Sequence, residues 1–371
     1  MAVDGVRFLH AGELNLGAPL FGIGGLPYHL RTLMVNARYR AAERVFAAAI
    51  EQRVDFVLLA GNLLSESAAG PRPCWFLAAQ CESLLRHGIP VYWVEAPDTA
   101  HSWSDYVPLP ANVFLASAQG CPSFEYKRNG RTVTRILVGS EAAAGPDALG
   151  IPQVAVLPEG IDGLPLAPMG VDYWALGGRM TAGTAPSVCG LAQHAGTTQG
   201  HSPMEGGPRG CALVTIDRQR ACTSEFLETE SVLWHAERVR VAGEIDWSEL
   251  RQELMQRQDR LLAQSRCDLM MIRWTLTGQG PLWQQLRRDD VCRQLQSMLV
   301  RHGRDRQPAA WSFVIDLSPD PEQVAVWSAE ESPFGDAARM LRSMGHKDQA
   351  PAPHFHRVAA GRSATRVPQL N

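Results

Sequence analysis

The first hundred residues alternate short, mainly apolar runs with stretches whose apolar side chains recur every three or four positions. Residues 6–11, 56–60 and 91–94 are apolar runs of strand length. Residues 36–52 place Ala41, Val45, Ala48 and Ala49 at helical spacing, with Arg38, Arg40 and Glu43 elsewhere on the turn. Residues 74–86 read as a second helix. Apolar strands separated by helices predict a sheet covered on both faces.

The pattern then changes. Asn129-Gly130 stands between two strand-like runs within 124–138, which predicts a hairpin, and 154–157, 173–176 and 212–216 are further short strands. The expected fold class is mixed α/β, a two-sheet β-sandwich flanked by helices. Composition shifts after Glu230. Residues 246–265 form an amphipathic helix with Leu250, Leu254, Leu261 and Leu262 on one side and Asp246 with Glu249 as a capping pair. Strands at 268–277 and 311–317 enclose helical segments at 282–287 and 290–301. We therefore expect a first domain over 1–230, a small α+β domain over 231–344, and a flexible tail rich in Pro, Ala, Gly and Arg over 345–371. No internal repeat is visible.

Composition narrows the setting. The 371 residues can bury a full core. No apolar run approaches the roughly 20 residues a membrane helix needs, and the start, MAVDGVRFLH, lacks the pattern of a secretory leader. The eight cysteines form no C-x-x-C pair, which argues against a zinc ribbon or a disulfide scaffold and for buried thiols. A cytoplasmic protein is expected, with no membrane contact. A net charge of −3 gives no support to nucleic-acid binding, whose usual footprint is a basic excess. Lysine is confined to Lys127 and Lys347, so arginine carries the positive charge, and DNA contact would require arginines gathered on one face.

Four stretches carry the candidate chemistry: VRFLHAGELNLG at 6–17, DFVLLAGNLLS at 55–65, IPVYWVEAPDT at 89–99 and DYWALGGRM at 172–180. In order and spacing they resemble the metallophosphoesterase signature D-x-H, G-D, G-N-H-D and G-H-x-H, with the hydrophobic strands kept and the polar tips changed. The resemblance is to the calcineurin-like metallophosphoesterases and, within them, to the bacterial DNA-repair exonuclease branch of SbcD type. It spans roughly residues 6–217, supported by LGAPLFGIGGLP, by RAAERVFAAAIEQRVDFVLLAG and by GTTQGHSPMEGGPRGCALVTID at 196–217. The C-terminal part resembles that branch's capping domain more loosely.

Such enzymes hold two Mn²⁺ or Mg²⁺ ions on strand-end Asp, His and Asn residues to generate hydroxide and neutralise phosphate. Carried over position by position, the first motif's Asp and His fall on Glu13 and Asn15, and the bridging Asp on Asn62. The ligand Asn and catalytic His fall on Pro97 and Asp98, a later strand-end His on Pro158, and the last two His on Gly178 and Met180. Proline and glycine offer no side-chain ligand, and a thioether is too soft for these ions. Asn62 has lost the bridging charge. Glu13, Asn62 and Asp98 remain as weak candidates for one hard cation such as Mg²⁺.

The resemblance thus implies a catalytically inactive homologue, a pseudoenzyme without cofactor that acts by binding or scaffolding. Its implied partner is an SMC-like coiled-coil ATPase or another protein. The alternative is a residual metal-dependent phosphodiesterase or exonuclease using Glu13, Asn62 and Asp98. The remaining signals read more plainly. His10 is expected as a packed strand residue, His101, His194 and His201 as solvated loop residues, and His354 and His356 as tail residues. Gly22-Ile23-Gly24-Gly25 is a turn rather than a phosphate loop, since no Lys-Ser/Thr pair follows it. Trp274, Trp283 and Trp311 are either core or anchors of an apolar docking patch.

Overall fold

We describe a computed structural model of the chain. It describes residues 5–22, 25–65, 70–95, 107–117, 123–139, 150–159, 170–187, 190–241, 245–319 and scattered positions from 329 to 340. The expected tail, together with Pro97, Asp98, His101, His354 and His356, lies outside them.

The apolar runs become neighbouring strands. Strands β1 (Val6–Gly12), β2 (Phe56–Ala60), β3 (Val91–Glu95) and β4 (Val113–Ser117) lie parallel. Strand β1 also pairs antiparallel with β11 (Gly210–Ile216), which pairs with β12 (Cys222–Glu228), giving the order β12-β11-β1-β2-β3-β4. A second sheet has the order β5-β6-β7-β8-β10-β9, from β5 (Ser123–Arg128), β6 (Arg131–Val138), β7 (Gln153–Leu157), β8 (Tyr173–Leu176), β9 (Gly183–Ala185) and β10 (Leu191–His194). The β5–β6 hairpin turns at Asn129 and Gly130, both at positive φ (53° and 76°), the conformation that favours Asn-Gly.

Side-chain alternation decides what each face meets. Phe8 and His10 of β1 point between the two sheets, where Phe8 stacks on Phe56 at 4.7 Å and meets Tyr173 edge-on at 5.4 Å. Leu9 and Ala11 point the other way, under helices α1 (Tyr28–Glu51) and α2 (Pro71–Arg86). The result is a two-sheet α/β sandwich flanked by helices, as the apolar pattern predicts.

Beyond it lies a third sheet, the parallel strands β13 (Val232–Val241), β14 (Leu269–Gly278) and β15 (Ala309–Pro319). Its crossovers are α3 (Trp247–Gln264), started by a complete Asp246/Glu249 capping box, then α4 (Pro281–Leu286) and α5 (Asp289–Gly303). One face packs on these helices through Trp274, Leu276, Leu250, Leu254, Leu295 and Leu299. The other face, with Val232, Trp234, Leu269 and Met271, packs on Leu30 and Ala37 of α1.

This second contact explains why α1 starts at Tyr28 rather than at position 36. Its first turns bury their apolar side chains against the third sheet, whereas Ala42, Val45, Phe46 and Ala49 bury theirs against the first. A single helical stripe cannot describe a helix that serves two sheets on different sides. Strands β4, β9, β10, β12 and β13 lie outside the runs expected as strands. Strand β9 has only three residues, and β12 alternates between exposed and half-buried positions at a sheet edge.

Candidate functional site

The ends of β1, β2, β7 and β8 converge at one end of the sandwich. The segments leaving β1 and β2 are zipped together by Asn15 N–H to Asn62 O (3.0 Å), Leu16 N–H to Leu63 O (2.8 Å) and Ser65 N–H to Leu16 O (3.0 Å). Glu13 and Asn15 hold positive φ values of 20° and 46° there. For a glutamate this conformation costs about 1–3 kcal/mol, so surrounding contacts must hold it.

The carboxylate of Glu13 supplies those contacts. It is buried, and its Oε1 accepts from Gly178 N–H (3.2 Å) and Asn62 N–H (3.4 Å), while its Oε2 accepts from Asn15 Nδ2 (3.4 Å). Each bond is long and individually weak, but together they tie β1 to the ends of β2 and β8 across both sheets. The extra methylene of glutamate gives the reach. Gly61 gives the room, since a Cβ there would lie 2.4 Å from Glu13 Oε1.

Pro158 is buried immediately after β7, and Gly177 donates its N–H to Leu157 O at 2.9 Å. Gly178 sits at φ +71°, and a Cβ on it would stand 2.0 Å from Glu159 O. Met180 is partly exposed, with its carbonyl accepting from Thr197 N–H at 3.0 Å. The structure therefore brings Glu13, Asn15, Asn62 and Gly178 into direct contact, places Pro158 against the Gly177–Gly178 turn, and leaves Met180 at the rim.

This donor set does not fit two hard dications. Glu13 Oε1 already serves two backbone amides, and Asn15 presents its amide nitrogen to Glu13. Pro158 and Gly178 have no side-chain ligand atom, and a methionine sulfur is soft. Among the described residues, no group of three or more His, Cys, Asp or Glu is arranged to hold a metal.

Behind the site, His10 is fully buried as expected. Its Nδ1 lies 2.8 Å from the Tyr173 hydroxyl, which donates to Gln193 Oε1 at 3.3 Å. Burial, and secondarily the nearby His194, push the His10 pKa down to about 3, so the ring is neutral. His194 corrects the sequence reading. It ends β10, buried, with Nδ1 2.9 Å from Gly177 O. His201 is likewise no free loop residue, since it is half-buried beside Glu205 at 3.2 Å. Trp274 and Trp283 are core, and Trp311 packs against the face that meets α1. Sequence reasoning missed the role of Gly61 and the left-handed backbone of Gly178; the signals are the glycine before Asn62 and the glycine standing at the motif position itself.

Residues 234–313, which span the third sheet from β13 into β15, match the family described as metallophosphoesterase YhaO, middle domain. A relative from Bacillus subtilis (strain 168), described as the uncharacterized metallophosphoesterase YhaO, is 27% identical over 314 residues, covering 75% of this chain and 73% of its own length. Both similarities are thus to metallophosphoesterases. Among the described residues, no helix is long and apolar enough to cross a membrane.

Proposed function

We propose that this protein is a catalytically inactive metallophosphoesterase homologue, of the bacterial DNA-repair exonuclease branch, that works by binding or scaffolding. The observation that carries this reading is the use of Glu13. The carboxylate best placed to hold a cation instead accepts hydrogen bonds from the ends of two other strands. Gly178 adds to it, because a Cβ at that φ would stand 2.0 Å from Glu159 O and the turn would have to move. The cleft is thus altered in its backbone as well as in its side chains, and two-metal hydrolysis has no place to assemble. The partner we favour is an SMC-like coiled-coil ATPase, the kind of protein with which the exonuclease branch acts.

The test is a calorimetric titration of the metal-stripped protein with Mn²⁺, with the same samples assayed on bis-p-nitrophenyl phosphate and linear DNA. No saturable binding and no turnover are expected. Turnover that depends on Mn²⁺ and disappears in Glu13→Ala and Asp98→Ala would overturn this reading in favour of a residual phosphodiesterase.

A further inference from the structure

A second feature lies on the other side of the segment that follows β1. A cavity of about 440 Å³ opens between residues 17–20, residues 25–26 and the outer faces of α1 and α2. Three arginines line it, Arg31, Arg38 and Arg72, and among the described residues no aspartate or glutamate does. Leu20, Met34 and Tyr39 supply apolar wall.

Among the described residues, none of the three cations is in ion-pair contact with a carboxylate. Arg31 donates to Leu26 O at 3.2 Å. Arg72 donates to Asn36 Oδ1 at 2.6 Å, and its guanidinium lies 4.1 Å over the Tyr39 ring. Arg38 is 2% exposed and donates through Nε to Ala18 O at 2.7 Å, while Nη1 and Nη2 have no hydrogen-bond partner. Burial lowers its pKa to about 10, opposed by the charge of Glu205, so it stays cationic at neutral pH.

Other arginines show what a purely structural role looks like here. On the same helix, Arg40 and Arg44 both pair with Asp268, at 3.2 and 3.1 Å. Buried Arg209 places Nη1 on Met180 O and Nη2 on Gly206 O. A buried guanidinium with both amino groups unpaired is costly unless something supplies acceptors. A phosphate supplies several, in the planar geometry a guanidinium matches.

We propose that this cavity binds a small phosphate-bearing ligand, with the phosphate on Arg38 between Arg31 and Arg72 and any apolar or aromatic portion against Leu20, Met34 and Tyr39. Its volume lies within the roughly 300–1,000 Å³ of small-molecule sites. No residue of the Glu13 cluster takes part, so the inference stands apart from whether that cluster is catalytic. It also differs from a phosphate loop, because the contacts come from helix side chains.

The test is calorimetry on the full chain at low ionic strength with inorganic phosphate, thymidine 5′-monophosphate and thymidine. We expect saturable binding of the monophosphate, competition by phosphate, and no binding of thymidine. Equal affinity for phosphate and the monophosphate would identify free phosphate as the ligand, and tighter monophosphate binding a nucleotide. Arg38→Lys should weaken binding about tenfold or more, because one point charge replaces a two-pronged donor. Arg31→Ala combined with Arg72→Ala removes two exposed side chains, keeps the fold, and should also weaken binding at least about tenfold. Arg288→Ala, on the distant α4–α5 turn, should bind as wild type. Absence of saturable binding up to about 10 mM of either phosphate probe, or unchanged affinity in the Arg31/Arg72 double variant, would overturn the proposal.

Discussion

Replacing Gly178 by alanine tests how tightly the backbone is confined at the turn after β8. The added Cβ would stand 2.0 Å from Glu159 O, 2.5 Å from Glu159 C and 3.2 Å from Glu159 Cα, all backbone atoms that no rotamer change can move aside. The turn must shift by about 1.4 Å or more to reach an ordinary contact. The left-handed backbone at φ +71° adds about 1 kcal/mol or more for a residue with a Cβ. The shift also strains the Gly178 N–H bond to Glu13, a net loss of about 1 kcal/mol. With the displaced backbone included, about 3 kcal/mol is expected, or a melting temperature lower by about 6–12 °C. Gly150 provides the control. Its φ is +72°, but an added Cβ there meets nothing within 4 Å, so Gly150→Ala should cost only about 1 kcal/mol. Urea and thermal unfolding of both variants measure the difference. A Gly178→Ala protein within about 0.5 kcal/mol of Gly150→Ala would refute the steric argument. If the argument holds, Gly178→His destabilises at least as much, and side-chain replacement alone cannot restore a metal ligand at this position.

Three further outcomes can be checked by unfolding. Glu13→Ala leaves the amides of Asn62 and Gly178 without their acceptor and should cost about 1–3 kcal/mol, with faster hydrogen exchange at both; unchanged exchange would remove the carboxylate from its bridging role. His10 has its folded pKa depressed from 6.5 to about 3, so its contribution is complete above about pH 6.5 and is lost as pH falls towards 3. Wild type should therefore lose about 2 kcal/mol more than His10→Leu between pH 7 and pH 5, and parallel pH profiles would contradict this. Glu230 behaves in the opposite sense. Burial raises its pKa from 4.5 to about 7, so its contribution is complete below about pH 4.5 and is lost as pH rises through 7. Glu230→Gln should thus gain about 2 kcal/mol relative to wild type on going from pH 5 to pH 8, and an equal effect at both pH values would count against it.

Much of the architecture was legible in the order of residues. The mainly apolar runs at β1, β2 and β3 demand burial on both faces, and Asn129-Gly130 and the Asp246/Glu249 pair announce a hairpin and a helix start through local backbone chemistry. The motif positions Glu13, Asn15, Asn62, Pro158, Gly178 and Met180 could likewise be named, through the resemblance of short stretches to a family signature. Which of them meet could not. The Glu13 carboxylate reaches residues 49 and 165 positions away, and such contacts depend on how two sheets face one another. The start of α1 was hidden for the same reason, because its first turns answer to the third sheet and its later turns to the first. His194 and Arg38 carry ordinary polar side chains in sequence, and only their surroundings make one a buried strand-end group and the other an unpaired cation in a cavity. Local pattern fixes the elements because it acts through neighbouring residues, whereas burial, pairing and left-over hydrogen-bonding capacity are properties of the packed whole.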